Sequence, residues 1–308
     1  MTVLVFGSVN MDLVSRTPRL PQPGETIIGS HFYTTPGGKG ANQAVAIARL
    51  GIPTQMIGRV GGDSFGQELI AALQTVGIDT SGVTVDATTH SGVAVITVSD
   101  QGENQIIGVL GANGQVGDRE LALLEQQLPH AQALLLQLEI PVPVVQQAAA
   151  IARRAGVPVL LDPAPVPPVP ITELYPLVDF LLPNEVEAAQ LVGFPVPDPE
   201  TAAIAATHLQ QQGAATVIIK LGAQGVFCAT PTAQRFVPAF AVDAIDTVAA
   251  GDAFAGGLAA ALVQGLSLET ALIWGCAAGA LATTQVGAQS AMSDRPTFDA
   301  FLAQHGYG

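Results

Sequence analysis

Basic residues are scarce. The 308 residues hold 11 lysines and arginines against 25 aspartates and glutamates, a formal charge of −14 at pH 7. Such a surface repels phosphate backbones and argues against a nucleic-acid partner. Cysteine is scarcer still: Cys228 and Cys276 are the only two, both in apolar stretches. They cannot form a disulfide framework and suit a reduced, cytoplasmic protein. Charged residues make up only 12%, so long uncharged runs occur. The longest, residues 270–293, is interrupted by Thr283, Thr284, Gln285, Gln289 and Ser290, leaving an apolar part about half as long as a membrane span. The opening MTVLVFGSVNMD lacks a positive region and meets Asp12 before any long apolar stretch, so neither a signal peptide nor a membrane association is expected. Two phosphate-loop patterns are missing as well. No GxGxxG occurs, and Gly38-Lys39 is followed by Gly40, with Tyr33 five positions before Gly38. Dinucleotide-fingerprint dehydrogenases and Walker-type NTPases thereby lose their support.

Apolar residues, at 49%, are ample for a large core. They recur as a strand-like run, a Gly or Pro turn, then a helical period. Residues 3–6, 55–59, 133–137, 159–161, 178–182 and 216–221 read as strands, most of them continuously apolar as in a parallel sheet covered on both faces. Helical patterns fall at 42–50, 64–76, 144–155, 185–192 and 199–212, and two mostly apolar ones at 249–265 and 268–284. The expected fold is a three-layer α/β/α, Rossmann-like domain with a mainly parallel central sheet, spanning residues 1–308 as one unit.

Two segments break the rhythm. Residues 13–34 have no helical period but strand-like stretches at 27–28 and 32–34. Residues 92–98 and 104–109, joined by SDQGE, read as a hairpin. Together they predict a small β-sheet lid, made by about 12–35 and 91–110, whose exposed faces serve to cover a site or to meet a second subunit.

The chemistry-bearing residues cluster at turns. DTVAAGD, residues 246–252, is the only Gly-bearing turn with two acids, and a helix follows it. Were that helix to start near Ala249, the amides of Ala249, Ala250, Gly251 and Asp252 would lack intrahelical partners and form an anion site. Asp252 would then sit beside the anion, able to take a proton from an attacking hydroxyl. Equally, an acid at a helix N-terminus stabilises the helix dipole. PGGKGAN, residues 36–42, combines glycines that allow close backbone approach with the donors of Lys39 and Asn42, which suit a polyol; it also reads as a turn with Asn42 capping a helix. Asn10 and Asp12, two apart on extended chain, share one face near a sheet edge where ligands bind, or belong to an ordinary polar turn.

These motifs, with GENQIIGVLGAN (102–113), LQLE (136–139), DPAPV (162–166), PNEVE (183–187), KLGAQG (220–225) and VGAQ (286–289), run the length of the chain in the order and spacing of one family. The chain resembles the ribokinase-like sugar kinases. The resemblance implies ATP-dependent phosphorylation of the terminal hydroxymethyl of D-ribose to D-ribose 5-phosphate. Asp252 would be the general base, with Ala249, Ala250 and Gly251 as the anion hole. Asn10, Asp12, Gly38, Lys39, Asn42 and Glu139 would hold sugar hydroxyls, and Asp252 would touch the sugar as well. Asn184 and Glu187 would support magnesium and the phosphates, largely through water; Lys220, Gly222, Gly225 and Gly251 would approach the nucleotide. Asp246, Val248, Ala282, Gln285 and Gly287 would line a monovalent-cation site for K⁺, mainly through carbonyls. The lid would pair with that of a second subunit in a homodimer.

The likeness frays in places. After Gly287 the chain reads AQSAMS, so Ala291 stands where the family places a serine oxygen, and Ser290, Ser293 or water would complete the cation shell. Lys220 replaces a common threonine and Asp162 a common asparagine. A kinase of another small sugar or of a nucleoside (fructose, deoxyribose, adenosine) is the nearest alternative, although aromatics at 5% offer little to a nucleobase. A catalytically silent sugar-binding regulator is the alternative of another class. The five histidines show no metal-ligand spacing.

Overall fold

Strands that are apolar on both faces need a helical layer on each side, and the chain supplies both in alternation. The computed structural model describes residues 2–307. The elements run β1 (Thr2–Phe6), β2 (Asn10–Thr17), β3 (His31–Gly37), α1 (Lys39–Arg49), β4 (Thr54–Gly61), α2 (Ser64–Thr75), β5 (Asp79–Asp86), β6 (Gly92–Ser99) and β7 (Asn104–Val109). They continue with α3 (Asp118–Gln127), β8 (Ala131–Leu136), α4 (Val142–Ala155), β9 (Val159–Leu161), β10 (Phe180–Leu181), α5 (Glu185–Val192) and α6 (Pro199–Gln211). The last third holds β11 (Thr216–Lys220), β12 (Gly225–Ala229), β13 (Gln234–Pro238), α7 (Ala250–Val263), α8 (Leu268–Thr283) and α9 (Arg295–Gln304).

Nine strands form the main sheet in the order β13-β12-β11-β10-β9-β8-β1-β4-β5. It is parallel from β11 to β5, while β11–β12 and β12–β13 are antiparallel. The period-2 rule divides its side chains: Val3 and Val5 pack with α1, α7, α8 and α9 on one face, Leu4 and Phe6 with α3, α4 and α6 on the other. This is the expected three-layer arrangement. No helix among the described residues is long and apolar enough to cross a membrane.

The second sheet has the order β3-β2-β6-β7, with β2–β6 parallel and its other two pairings antiparallel. Residues 92–98 and 104–109 pair as the expected hairpin. Two expectations need correction. One of the sheet's two inner strands is Asn10–Thr17, and residues 27–28 lie outside any strand. Asn10-Met-Asp-Leu-Val-Ser-Arg-Thr alternates polar and apolar side chains only as far as Leu13-Val14, so each face carries both. Helix α1 starts at Lys39, three residues before the expected 42, so Asn42 is not its cap. Gly38 is the cap, with φ 89°, and a Cβ there would stand 2.7 Å from the Asn10 amide nitrogen. That combination of left-handed backbone and close approach requires glycine.

Candidate active site

At the start of α7, Ala249 caps the helix in a left-handed conformation, φ 58°. The first amide to bond back into the helix is that of Ala253, to the Ala249 carbonyl at 2.9 Å. Among the described residues, the amides of Ala249, Gly251 and Asp252 have no backbone carbonyl partner, but that of Ala250 donates to Thr247 at 3.3 Å. The four free amides expected from sequence are thus three, because the turn before the helix folds tightly enough to engage one.

Asp252 is 5% exposed. Its Oδ2 accepts from Asn42 Nδ2 at 3.0 Å and its Oδ1 from Gln43 Nε2 at 3.1 Å. Both amides lie in the first turns of α1, which packs its apolar face on α7 with Ala46 against Gly256. Burial raises the Asp252 carboxyl above its ordinary range; Lys39 opposes that, Asp162 adds to it, and the two amides oppose it. Asn42 Oδ1 is buried without a partner, an acceptor still owed a donor.

The expected sugar-binding residues meet here. Glu139 accepts from the Lys39 amide at 3.0 Å, from Ser8 Oγ at 2.5 Å and from Asn10 Nδ2 at 3.4 Å. Ser8 Oγ in turn accepts from the Gly40 amide at 3.2 Å. Asp12 is buried among carboxylates, and its pKa rises to about 7 through burial first, then Glu139 and Asp252. Burial works against the Lys39 ammonium, but Asp252, Asp162, Glu139 and Glu187 hold its pKa above the ordinary value.

The residues expected to approach the nucleotide lie along the C-terminal ends of β10 and β11. Asn184 caps α5 and its backbone bridges that of Lys220. The Asn184 amide and side chain both donate to Glu187, at 2.8 and 2.9 Å, while Glu187's amide donates to Asn184 Oδ1 at 2.8 Å. This reciprocal capping box accounts for NxxE structurally as well. Burial and Asp162 raise the Glu187 pKa against the pull of Lys220. Gly222 (φ 53°) opens the turn between β11 and β12, and Gly225 (φ 125°) closes it, where a Cβ would collide with the Val237 carbonyl at 2.1 Å.

In the expected cation loops, Asp246 Oδ1 accepts from the Val248 amide at 3.0 Å and Oδ2 from the Gly287 amide at 2.9 Å. The Asp246 amide donates to Thr283, next to buried Ala282, at 3.1 Å. Asp246, Val248 and Gly287 are thereby brought together with the end of α8, whereas Gln285 is exposed. Ser290 Oγ donates to the Val286 carbonyl at 3.1 Å, and the Arg49 guanidinium to the carbonyls of Ser290 and Met292.

Some partners were not singled out from sequence. Asn113, fully buried at the end of the 102–113 motif, accepts from the Val9 amide at 2.9 Å and donates to Asn10 Oδ1 at 2.7 Å. Gln43 and Gln137 join at 2.6 Å. A glutamine beside the sugar loop's Asn42 was the available signal.

The model of the family described as pfkB family carbohydrate kinase matches residues 2–295. The chain belongs to the pfkB family of carbohydrate kinases. It is 41% identical over 301 residues to a ribokinase of Haemophilus influenzae, covering 98% of each protein. A deoxyribokinase of Salmonella typhimurium is 36% identical over 307 residues, covering 98% of this chain and 99% of that one. Among solved structures of the family, that of Arabidopsis thaliana ribokinase complexed with ribose and ATP superposes with a TM-score of 0.88 at 35% identity, covering 97% of this chain and 98% of that one.

Proposed function

We propose that this pfkB-family chain transfers the terminal phosphoryl group of ATP to the hydroxymethyl of D-ribose, giving D-ribose 5-phosphate. The observation that carries the reading is Asp252: a buried carboxylate beside free helix-start amides, tied by Asn42 to the first turn of α1, which begins at Lys39. Asn42 Oδ1, lacking a donor, suits a sugar hydroxyl. Glu139 and Asp12 accept from others, with Asn10, Gly38 and the Lys39 ammonium completing the contacts. The hydroxymethyl proton passes to Asp252, whose raised pKa suits a general base, as the alcohol oxygen attacks phosphorus. The amides at Ala249, Gly251 and Asp252 meet the charge growing on the phosphoryl oxygens.

Asn184 and Glu187 fit a magnesium ion held mainly by phosphates and water, because Mg²⁺ asks a protein for only one or two carboxylates; when bound, it neutralises phosphate charge. Lys220, Gly222, Gly225 and Gly251 face the nucleotide. A K⁺ ion fits carbonyls of Val248, Ala282, Gln285 and Gly287 near Asp246, whose own carboxylate already accepts two amides.

The chain acts as one domain with a lid drawn from about 12–35 and 91–110. Phe32, Val95, Ile107 and Val109 are exposed on the lid face opposite Asn10 and Asp12, which supports a homodimer through that face. The buried free thiols of Cys228 and Cys276 suit the cytoplasm.

The test is ADP release, with magnesium and potassium present, over ribose, 2-deoxyribose, fructose and adenosine. Ribose should give the highest kcat/KM. Turnover on adenosine without turnover on ribose would overturn the substrate; sugar binding without ADP release would make the protein a regulator. Preference for 2-deoxyribose is the second reading, favoured by the 36% identity to a deoxyribokinase.

A further inference from the structure

Two charged side chains at this site take no part in the transfer as described. Lys220 ends β11, is 9% exposed, and donates through Nζ to Asp162 Oδ1 at 3.0 Å. The same Nζ lies 3.3 Å from where a Cβ on Gly251 would stand, so the ammonium rests against the start of α7. Asp162, 2% exposed, accepts through its other oxygen from Gln43 Nε2 at 3.0 Å. That amide also donates to Asp252 at 3.1 Å, and Gln137 fixes its orientation by donating to Gln43 Oε1 at 2.6 Å. One carboxylate thus aligns a cation and, through a single amide, the base.

Stability alone does not explain the pair. Desolvating two charges cancels much of their attraction, and uncharged neighbours of similar volume serve a core as well or better. What the pair does is keep an ammonium beside an anion hole in a region rich in acids. Asp12, Glu139, Asp162, Asp252 and Glu187 crowd this region, and Lys39 is committed to four of them. A triphosphate entering such a field, even with its magnesium, is favoured by a fixed cation beside the amides.

Building on the kinase reading, we propose that Lys220 is a further catalytic residue, donating to the phosphoryl group in flight, and that Asp162 is the positioning residue for both Lys220 and Asp252. In this step the bond from the sugar oxygen to the γ-phosphorus forms as the bond from that phosphorus to the β–γ bridging oxygen breaks. The hydroxyl proton goes to Asp252, and the electron pair of the broken bond leaves with ADP. Lys220 transfers nothing; its N–H groups share the phosphoryl charge with the amides at the start of α7.

The test uses the full chain with Lys220→Met, Lys220→Arg, Asp162→Asn and the double variant Lys220→Met/Asp162→Asn. It measures kcat with ATP and ribose, ribose affinity by calorimetry, and melting temperature. Lys220→Met should lower kcat about 100-fold, the loss typical of one preorganised donor, with ribose affinity held within about twofold. Lys220→Arg should recover part of the rate. The double variant, with no lone buried charge, should regain the wild-type melting temperature yet keep the low kcat. Asp162→Asn should also move the acid limb of the pH–rate profile downward, because Asp162 raises Asp252 while Lys39 opposes it. A double variant as fast as wild type, or a Lys220→Met enzyme with unchanged kcat, would show that the pair merely balances charge and would overturn the proposal. A wild-type protein that phosphorylates none of the sugars would instead overturn the kinase reading, and the proposal with it.

Discussion

Asp12 offers a measurement that needs no substrate. Its carboxyl is 8% exposed, and burial together with Glu139 and Asp252 moves its pKa from 3.8 to about 7. At 1.36 kcal/mol per tenfold change in protonation equilibrium, a displacement of that size is worth about 4 kcal/mol. The sign follows from which state holds the proton. Between pH 3.8 and about 7 the folded protein keeps a proton on Asp12 that the unfolded chain has released. The stability that this proton confers is therefore whole at acid pH and lost as the pH rises through about 7. Asp12→Asn, neutral at every pH, removes the loss. Urea denaturation of ligand-free wild type and Asp12→Asn from about pH 3.5 to 8.5 should give similar stabilities only at the acid end, below the unfolded-state value of 3.8. The variant should pull ahead by about 1 kcal/mol or more for each pH unit up to about 7. Ribose should reverse the order at neutral pH, since hydroxyl donors favour the ionised Asp12, and binding near pH 6.5 should release protons into the buffer. A stability difference that stays flat across this range would refute the placement of Asp12 among buried acids.

Three further outcomes follow. Asp252→Asn should lower turnover by about 10³-fold or more while ribose affinity by calorimetry changes little; comparable turnover would remove Asp252 as the base. Ile107→Asp, 65% exposed on the outer face of the lid, should shift the protein from dimer to monomer in light scattering without lowering its melting temperature. An unchanged mass would show that the lid does not hold two copies together. Exchanging K⁺ for Li⁺ should depress kcat in the coupled assay, and indifference to the ion would mean that the loops around Asp246 and Gly287 hold no functional cation.

Where side chains repeat a period, the fold could be read directly. Val159–Leu161 and Glu185–Val192 stand at the expected bounds, because a continuous apolar run and a cap-to-glycine helix each carry their own signal. Strand β2 could not be read, since its alternation stops at Leu13-Val14 and each face carries both polar and apolar side chains, and the start of α1 was hidden by glycines that resemble a turn. The outline of the site was legible at DTVAAGD and PGGKGAN, whose conformations are set locally. Its wiring was not: Asn42 and Asp252 are 210 residues apart, and Gln43 and Asp162 are separated by 119. The charges of Lys220 and Asp162 each looked anomalous along the chain; 58 residues apart, they answer each other across the site.

That pairing constrains how the protein can change over generations. Exchanging either partner by itself passes through a chain with one naked ion sealed next to its most sensitive groups, so selection meets the weakened form before any compensating change can arrive. Codons 162 and 220 are accordingly expected to drift in step, and descendants that have lost one of these charges should have lost the other as well.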